Sequence, residues 1–215
     1  MTRVVILISG RGSNMEALIR AKAQGELPVD IAAVISNRPE AKGLETAAEA
    51  GIETAVLDHK TFATREGFDR ALVECIDQFK PDLVVLAGFM RILTADFVRH
   101  YEGRLMNIHP SLLPAFPGLH THQRALDEGI RVHGCTVHFV TAELDHGPVI
   151  IQAAVPVLDG DTEEALGKRV LVCEHQIYPQ AVRWFAEGRL TIQDGKVLLG
   201  ALQDGQTRLI SPTLH

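Results

Sequence analysis

The chain has 215 residues, with 21 lysines and arginines against 27 aspartates and glutamates, which gives a net charge of −6 at pH 7 and a pI of about 5.9. This acidic balance argues against a general nucleic-acid binder, because such proteins usually present a basic surface. Three widely spaced cysteines without a C-x-x-C pair, the lack of a signal peptide and the lack of a membrane-length apolar run favour a cytoplasmic protein with neither a disulfide framework nor a zinc motif.

The first element is a short apolar run, Arg3–Ile8, which predicts a strand buried on both faces of a parallel sheet. It leads into the glycine loop Ser9-Gly-Arg-Gly-Ser-Asn14, and a helical pattern follows. This order directs free N–H groups and the positive end of a helix dipole at an anion. The loop is neither G-x-G-x-x-G nor G-K-[ST], and Ser13 with Glu16 fits an ordinary capping box. Phosphate binding and a simple helix start therefore remain alternatives.

The following elements alternate between strand and helix. Strands are predicted at 30–36, 54–57 and 81–87, and helices at 43–50, at 94–100 and after an N-cap at Thr64. The apolar loop 88–93 carries Arg91 and could either wall a pocket for a flat ring or cover core. This alternation predicts an α/β, Rossmann-like fold, a mostly parallel twisted sheet with helices on both faces and right-handed crossovers.

The stretch Leu105–Pro114 predicts a strand that Pro110 ends. Asn107 and His109 are two residues apart, so an extended chain projects both to the same face. Ligands bind at the carboxyl ends of the strands in open α/β sheets, which makes this pair a candidate site. The alternative is that both side chains merely bind nearby loop backbone.

The remainder contains a predicted helix at 123–129, strands at 135–140 and 147–157, a final helix at about 162–187, and a closing hairpin at Asp194-Gly195. Asp145 lies in the short loop between the two strands, where an aspartate is most often a turn former. Asp161 with Glu164 is expected to cap the final helix. His120-x-His122 lacks further ligands at a helpful spacing, so no metal site is expected.

Four motifs together resemble the folate-dependent formyltransferases, and within them the branch that formylates glycinamide ribonucleotide in purine synthesis. They are I-S-G-R-G-S-N at 8–14, A-G-F-M-R-I-L at 87–93, N-I-H-P-S-L-L-P at 107–114 and E-L-D-H-G-P at 143–148. The resemblance implies one domain over 1–215, with a phosphate-binding half at 1–100, a catalytic and folate-binding half at 101–190, and a C-terminal hairpin and tail at 191–215. It also implies small-molecule partners, no nucleic acid, no membrane, and a monomer or homodimer.

The resemblance also implies roles for individual residues. The catalytic group would be Asn107, His109 and Asp145. Residues that hold the ribonucleotide substrate would be Gly12, Ser13, Asn14, Asn107 and Glu174, with the first three on its phosphate and Glu174 near its amine. Residues that bind 10-formyltetrahydrofolate, the formyl donor, would be Arg65, Met90, Arg91, Ile92, Leu93, Asn107 and Asp145, with Arg65 towards the glutamate tail. No metal is implied.

In this chemistry the substrate amine attacks the formyl carbon, and Asn107 and charged His109 donate to the oxygen that gains negative charge. Asp145 favours the imidazolium and relays the amine proton. Three alternative functions remain. A 10-formyltetrahydrofolate deformylase is expected to carry a preceding regulatory domain, and a methionyl-tRNA formyltransferase a C-terminal tRNA-binding domain. A non-catalytic nucleotide- or folate-binding module would not need Asn107, His109 and Asp145 together.

Overall fold

A computed structural model describes residues 1–200 of the chain. Its helices and strands are β1 Thr2–Ile8, α1 Ser13–Ala23, β2 Val29–Ser36, α2 Gly43–Glu49, β3 Thr54–Val56, α3 Arg65–Asp77, β4 Leu83–Leu86, α4 Ala95–His100, β5 Leu105–His109, α5 Thr121–Asp127, β6 Val132–Phe139, β7 Val149–Pro156, α6 Glu163–Ala186, β8 Leu190–Gln193 and β9 Lys196–Leu199. Each predicted strand and helix exists within a few residues of its expected bounds.

Seven strands form one sheet in the order β3-β2-β1-β4-β5-β6-β7. The strands β1 to β5 run parallel, whereas β6 is antiparallel to β5 and β7 is antiparallel to β6. The strand order reverses direction at β1, which lies between β2 and β4. Ligands bind at such a switch point, outside the carboxyl ends of the strands. The α/β fold with a mostly parallel sheet is thus confirmed.

The core lies in two layers, one on each face of the sheet. Along β1, Val4, Ile6 and Ile8 point to the layer that α1 and α6 cover, whereas Val5 and Leu7 point to the layer under α3 and α4. All five side chains are at most 1% exposed. A strand buried on both faces has to be apolar at every position, which explains the unbroken run at the start of the sequence.

Two capping predictions are wrong. Helix α6 is capped by Thr162, whose side chain accepts from the Ala165 N–H, and not by Asp161 with Glu164. The Arg169 guanidinium holds the Asp161 carboxylate at 2.7 Å instead and lowers the pKa of Asp161 to about 2. Helix α1 has no side-chain cap, because its N-cap residue is a glycine in the left-handed conformation.

The C-terminal segment is only partly described. Strands β8 and β9 pair as the predicted hairpin, with Asp194 and Gly195 at positive φ in its turn. Positive φ at both central residues matches the twist of a hairpin, and Asp-Gly suits it. Residues 201–215 of the expected tail lie outside the described part of the chain, and the division at 100 and 190 stays a prediction. Over residues 1–200, no helix is both long and apolar enough to span a bilayer.

Tyr178 fixes the long helix α6 against the middle of the sheet. Its fully buried hydroxyl donates to the Leu86 carbonyl at 2.8 Å and also lies 3.1 Å from the Met106 carbonyl. These carbonyls belong to the neighbouring strands β4 and β5. One side chain therefore ties α6 to both strands, and it does so one helical turn after Glu174.

We expect Tyr178→Phe to lower the free energy of unfolding by about 1–3 kcal/mol, because two buried carbonyls lose their hydroxyl partner. Urea unfolding followed by circular dichroism measures the loss. The matched control is Tyr101→Phe, whose hydroxyl binds Asp77, a residue with a 42% exposed side chain that water can satisfy. Equal losses in the two variants would show that Tyr178 does not tie the helix to the strands.

Candidate active site

The candidate site residues gather at one edge of the sheet. The glycine loop follows β1, the loop 88–93 follows β4, and Asn107 and His109 end β5. These three strands are parallel neighbours, so their carboxyl ends lie side by side at roughly 5 Å per strand. The sheet thus brings together the residues predicted to bind phosphate, to bind folate and to catalyse the reaction.

The glycine loop borders a cavity of about 280 Å³. Its lining residues are Ser9, Gly10, Arg11, Gly12, Ser13, Asn14, Arg38, Ala87, Gly88 and Met90. Gly12 has φ +74°, a conformation that disfavours any other residue, and the first helical bond runs from Glu16 N to the Gly12 carbonyl. The N–H groups of residues 13–15 therefore have no helical acceptor and can serve an anion in the cavity.

The Asn14 side chain binds a buried carboxylate. Its amide nitrogen donates to Glu174 Oε2 at 2.7 Å, a contact that joins α1 to α6 across 160 residues of sequence. Asn14 can therefore offer an anion its backbone N–H, but not that amide proton. Glu174 is 7% exposed, and burial raises the pKa of its carboxyl, while the bond from Asn14 acts in the opposite direction.

Ser9 couples the glycine loop to its neighbours. Its N–H donates to the Gly88 carbonyl at 3.1 Å, and its hydroxyl accepts from Met90 N at 2.7 Å while donating to Asn37 Oδ1 at 2.5 Å. Ser9 and Asn37 are both buried. Three strand ends, those of β1, β2 and β4, are thereby held in one hydrogen-bonded network. The position of the glycine loop relative to the loop 88–93 depends on this network.

Arg38 is a cavity residue that the sequence did not single out. It follows β2, and its backbone is fixed because Ser36 Oγ accepts from its N–H at 3.1 Å and donates to its carbonyl at 2.9 Å. Its side chain is exposed and lines the cavity beside the glycine loop. The placement of Arg38 at the carboxyl end of a parallel strand was the signal that could have identified it.

His109 and Asp145 form a buried pair. His109 Nδ1 lies 3.6 Å from Asp145 Oδ2, and each side chain is 8% exposed. Asp145 has φ +52°, a conformation that aspartate tolerates better than most residues. The loop between β6 and β7 thus directs this carboxylate at the imidazole. The structure therefore brings the predicted pair together.

The loop after β5 contacts both members of this pair. The Phe116 carbonyl lies 3.0 Å from His109 Nε2, and the Gly118 N–H donates to Asp145 Oδ2 at 2.8 Å. Both imidazole nitrogens therefore face protein oxygens. For His109 to donate to a substrate oxygen, one of these partners has to be exchanged for the substrate.

The predicted folate-binding residues differ in exposure. Met90 and Ile92 are 59% and 57% exposed, whereas Leu93 packs against the core. The Arg91 guanidinium lies over the Phe68 ring at 5.5 Å from its centroid. Its Nε is buried and has no partner among the described residues. Arg65 begins α3, three residues before Phe68, so the helix places it on the same side as that ring.

The two histidines of the H-x-H motif do not act together. His120 is exposed at the start of α5, whereas His122 Nδ1 lies 3.1 Å from His133 Nε2. Burial lowers the pKa of His133 to about 4 and also lowers the pKa of His122. Within residues 1–200, no group of three or more His, Cys, Asp and Glu side chains is arranged to hold a metal ion.

The fold and this site define a formyl transferase, and the profile of that family, described as "Formyl transferase", matches residues 2–182. The chain belongs to this family. It is 53% identical over 203 residues to the phosphoribosylglycinamide formyltransferase of Escherichia coli (strain K12), and the match covers 94% of each chain.

Solved structures agree with this assignment. Glycinamide ribonucleotide transformylase 1 from Symbiobacterium toebii matches at a TM-score of 0.90 and 49% identity, over 93% of this chain and 94% of that one. A formyltetrahydrofolate deformylase from Pseudomonas syringae pv. tomato is more distant, at a TM-score of 0.84 and 31% identity. That match covers 92% of this chain and 65% of the deformylase. The relatives therefore favour the ribonucleotide branch predicted from the motifs.

Proposed function

We propose that this protein transfers the formyl group of 10-formyltetrahydrofolate to the amine of glycinamide ribonucleotide. The observation that carries the proposal is the position of two sites on one sheet edge. A cavity bordered by the glycine loop lies at the end of β1, and the His109–Asp145 pair flanks the end of β5, two strands away. Two strand spacings are about 10 Å, a separation that suits a substrate with a phosphate at one end and an amine at the other.

The cavity would bind the phosphate through the N–H groups of Gly12, Ser13 and Asn14 at the positive end of α1. Arg38, which lines the same cavity, would add a guanidinium. Glu174, held by Asn14, would stand between the phosphate loop and β5 and accept from the substrate near its amine. These contacts are remote from the reacting carbon, so they would support binding more than chemistry.

Asn107 and His109 would donate to the formyl oxygen as it gains negative charge, where one donor is typically worth about 2.7–4 kcal/mol of barrier. We assign the donor to His109 Nε2, because its present partner is a loop carbonyl that the substrate oxygen can replace. Nδ1 keeps Asp145 as its partner. Asp145 would then take up the proton that the attacking amine releases.

The folate donor would bind along the loop 88–93. The exposed apolar side chains of Met90 and Ile92 fit a flat ring that covers them, since ligand pockets are mostly apolar. The Arg91 guanidinium lies over the Phe68 ring, and Arg65 begins the helix that carries this ring, so the two cations would attract an anionic tail. We further propose that Leu93, Asn107 and Asp145 contact this ligand and that the protein acts in the cytoplasm as a monomer or homodimer.

The first prediction separates transfer from hydrolysis. 10-Formyltetrahydrofolate should be consumed quickly only when glycinamide ribonucleotide is present, with the formyl group recovered on the ribonucleotide. Absorbance of the released folate, with mass spectrometry of the product, measures both. Consumption at the same rate without the ribonucleotide would contradict the proposal and favour a deformylase.

The second prediction concerns Arg38. Arg38→Gln should raise the KM for glycinamide ribonucleotide by about 10-fold or more, because a charge-assisted bond contributes roughly 1.5–3 kcal/mol. The kcat should change little, since the phosphate is bound equally in ground and transition states. The matched control is Arg70→Gln, which alters an exposed arginine of α3 outside the cavity lining. An unchanged KM in the Arg38 variant would remove this residue from the phosphate site.

The third prediction concerns Asp145. Asp145→Asn keeps the shape and tolerates the positive φ, but it removes the negative charge beside His109 and the acceptor for the amine proton. Single-turnover rates should fall at least about 10²-fold, the lower end for general acid–base help. The control is Glu143→Gln, which changes an exposed carboxylate of the same loop. Near-normal rates for Asp145→Asn would show that Asp145 only forms the turn and takes no part in the reaction.

A further inference from the structure

His138 is a buried polar residue beside the site, and the reaction described above gives it no role. It lies on β6 directly opposite Asn107 of β5 and is 2% exposed. Its Nδ1 lies 2.9 Å from the Phe139 carbonyl oxygen, and its Nε2 lies 3.4 Å from Asn107 Nδ2. Both ring nitrogens thus have a partner, and one of these partners is a residue proposed to touch the substrate.

The two partners determine where the ring carries its proton. A carbonyl oxygen can only accept, so Nδ1 has to be the protonated nitrogen. Burial lowers the pKa of His138, which favours the neutral ring. In the neutral Nδ1–H tautomer, Nε2 carries a lone pair, and its partner Asn107 Nδ2 is a donor. The roles of all four atoms are then consistent.

The glycine of the E-L-D-H-G-P motif supports this assignment. A Cβ on Gly147 would lie 1.6 Å from the Phe139 carbonyl oxygen and 3.3 Å from His138 Nδ1. The Phe139 N–H in turn donates to the Pro148 carbonyl at 3.0 Å. The backbone of residues 147–148 therefore packs directly on the carbonyl that fixes the tautomer, and it leaves no room for a side chain.

We propose that His138 is a positioning residue that orients the Asn107 amide for the transfer reaction. An asparagine amide has a donor on one side and an acceptor on the other, and rotation by about 180° exchanges them. The lone pair on His138 Nε2 accepts one Asn107 N–H and directs the second towards the formyl oxygen. Without this acceptor, the amide can turn its own oxygen to the charge that it should stabilise. The inference rests on the proposed function, in which Asn107 donates to that oxygen.

Matched variants separate the two ring nitrogens. The carbonyl of His138→Gln reaches the place of Nε2, whereas the shorter His138→Asn reaches only the place of Nδ1. We expect His138→Asn to lower kcat by about 10²-fold, the effect of losing one oxyanion donor. His138→Gln should retain kcat to within about 10-fold, and the KM values of both variants should stay near wild type. Equal losses of kcat in both variants would contradict the proposal.

A double-mutant cycle tests whether His138 acts through Asn107. In an Asn107→Ala background the amide is already gone, so adding His138→Asn should change the remaining rate by less than about 3-fold. Multiplicative losses would show that His138 acts independently and would overturn the proposal. Urea unfolding of each variant identifies any loss of rate that follows from a loss of folded protein.

Long-range proton–nitrogen NMR of the ligand-free wild-type protein tests the tautomer without any reaction. A neutral ring protonated at Nδ1, with a restrained Asn107 side-chain amide, is expected at pH 7. A ring protonated at Nε2, or a charged ring, would overturn the inference even if transfer is normal. A protein with the expected tautomer but without transfer would instead contradict the proposed function. His109 and Asp145 also face this ring and are followed in the same spectra.

Discussion

The pairing of β5 with β6 is the constraint on which the site depends. Asn107 stands opposite His138 and His109 stands opposite Thr136, so a slip of one residue would turn every one of these side chains to the other face. The register is held beyond the strands as well. Thr136 Oγ1 donates to the Ser111 carbonyl at 2.7 Å and accepts from Leu113 N at 3.0 Å. The S-L-L segment after His109 is therefore fixed by the strand that also carries His138.

The two halves of the sheet are joined by buried polar contacts rather than by apolar packing alone. Glu174 on α6 accepts from Asn14 on α1, and Tyr178 on the same helix binds carbonyls of β4 and β5. Burial disfavours the charged form of a carboxyl, which explains why the pKa of Glu174 is raised even though Asn14 donates to it. Helix α6 thus holds α1, which begins at the cavity, at a fixed position relative to β4 and β5.

Sequence reasoning predicted the parts of this structure that depend on local pattern. Buried strands, the glycine loop and the N-x-H pair all follow from periodicity and chain order, and the structure contains them. It did not find contacts that depend on long-range placement. Thr162 caps α6, whereas the Asp161 carboxylate binds Arg169, eight residues further on. Arg38 and His138 looked like an exposed arginine and an ordinary strand residue until the sheet placed them beside the cavity and Asn107.

The fold alone does not decide between formyl transfer and formyl hydrolysis, because a deformylase shares it at a TM-score of 0.84. Both reactions need donors for the formyl oxygen and a base near the attacking group, and Asn107, His109 and Asp145 could serve either. The difference lies in what delivers the nucleophile. Water needs no binding energy, whereas an amine on a phosphorylated substrate is positioned by contacts remote from the reacting carbon. In this chain the cavity lined by Gly12 and Arg38 would supply such contacts. Asn14 and Glu174 join this end of the site to α6, and Tyr178 joins α6 to β4 and β5. Under the proposed function, it is therefore the phosphate end of the site that selects the acceptor.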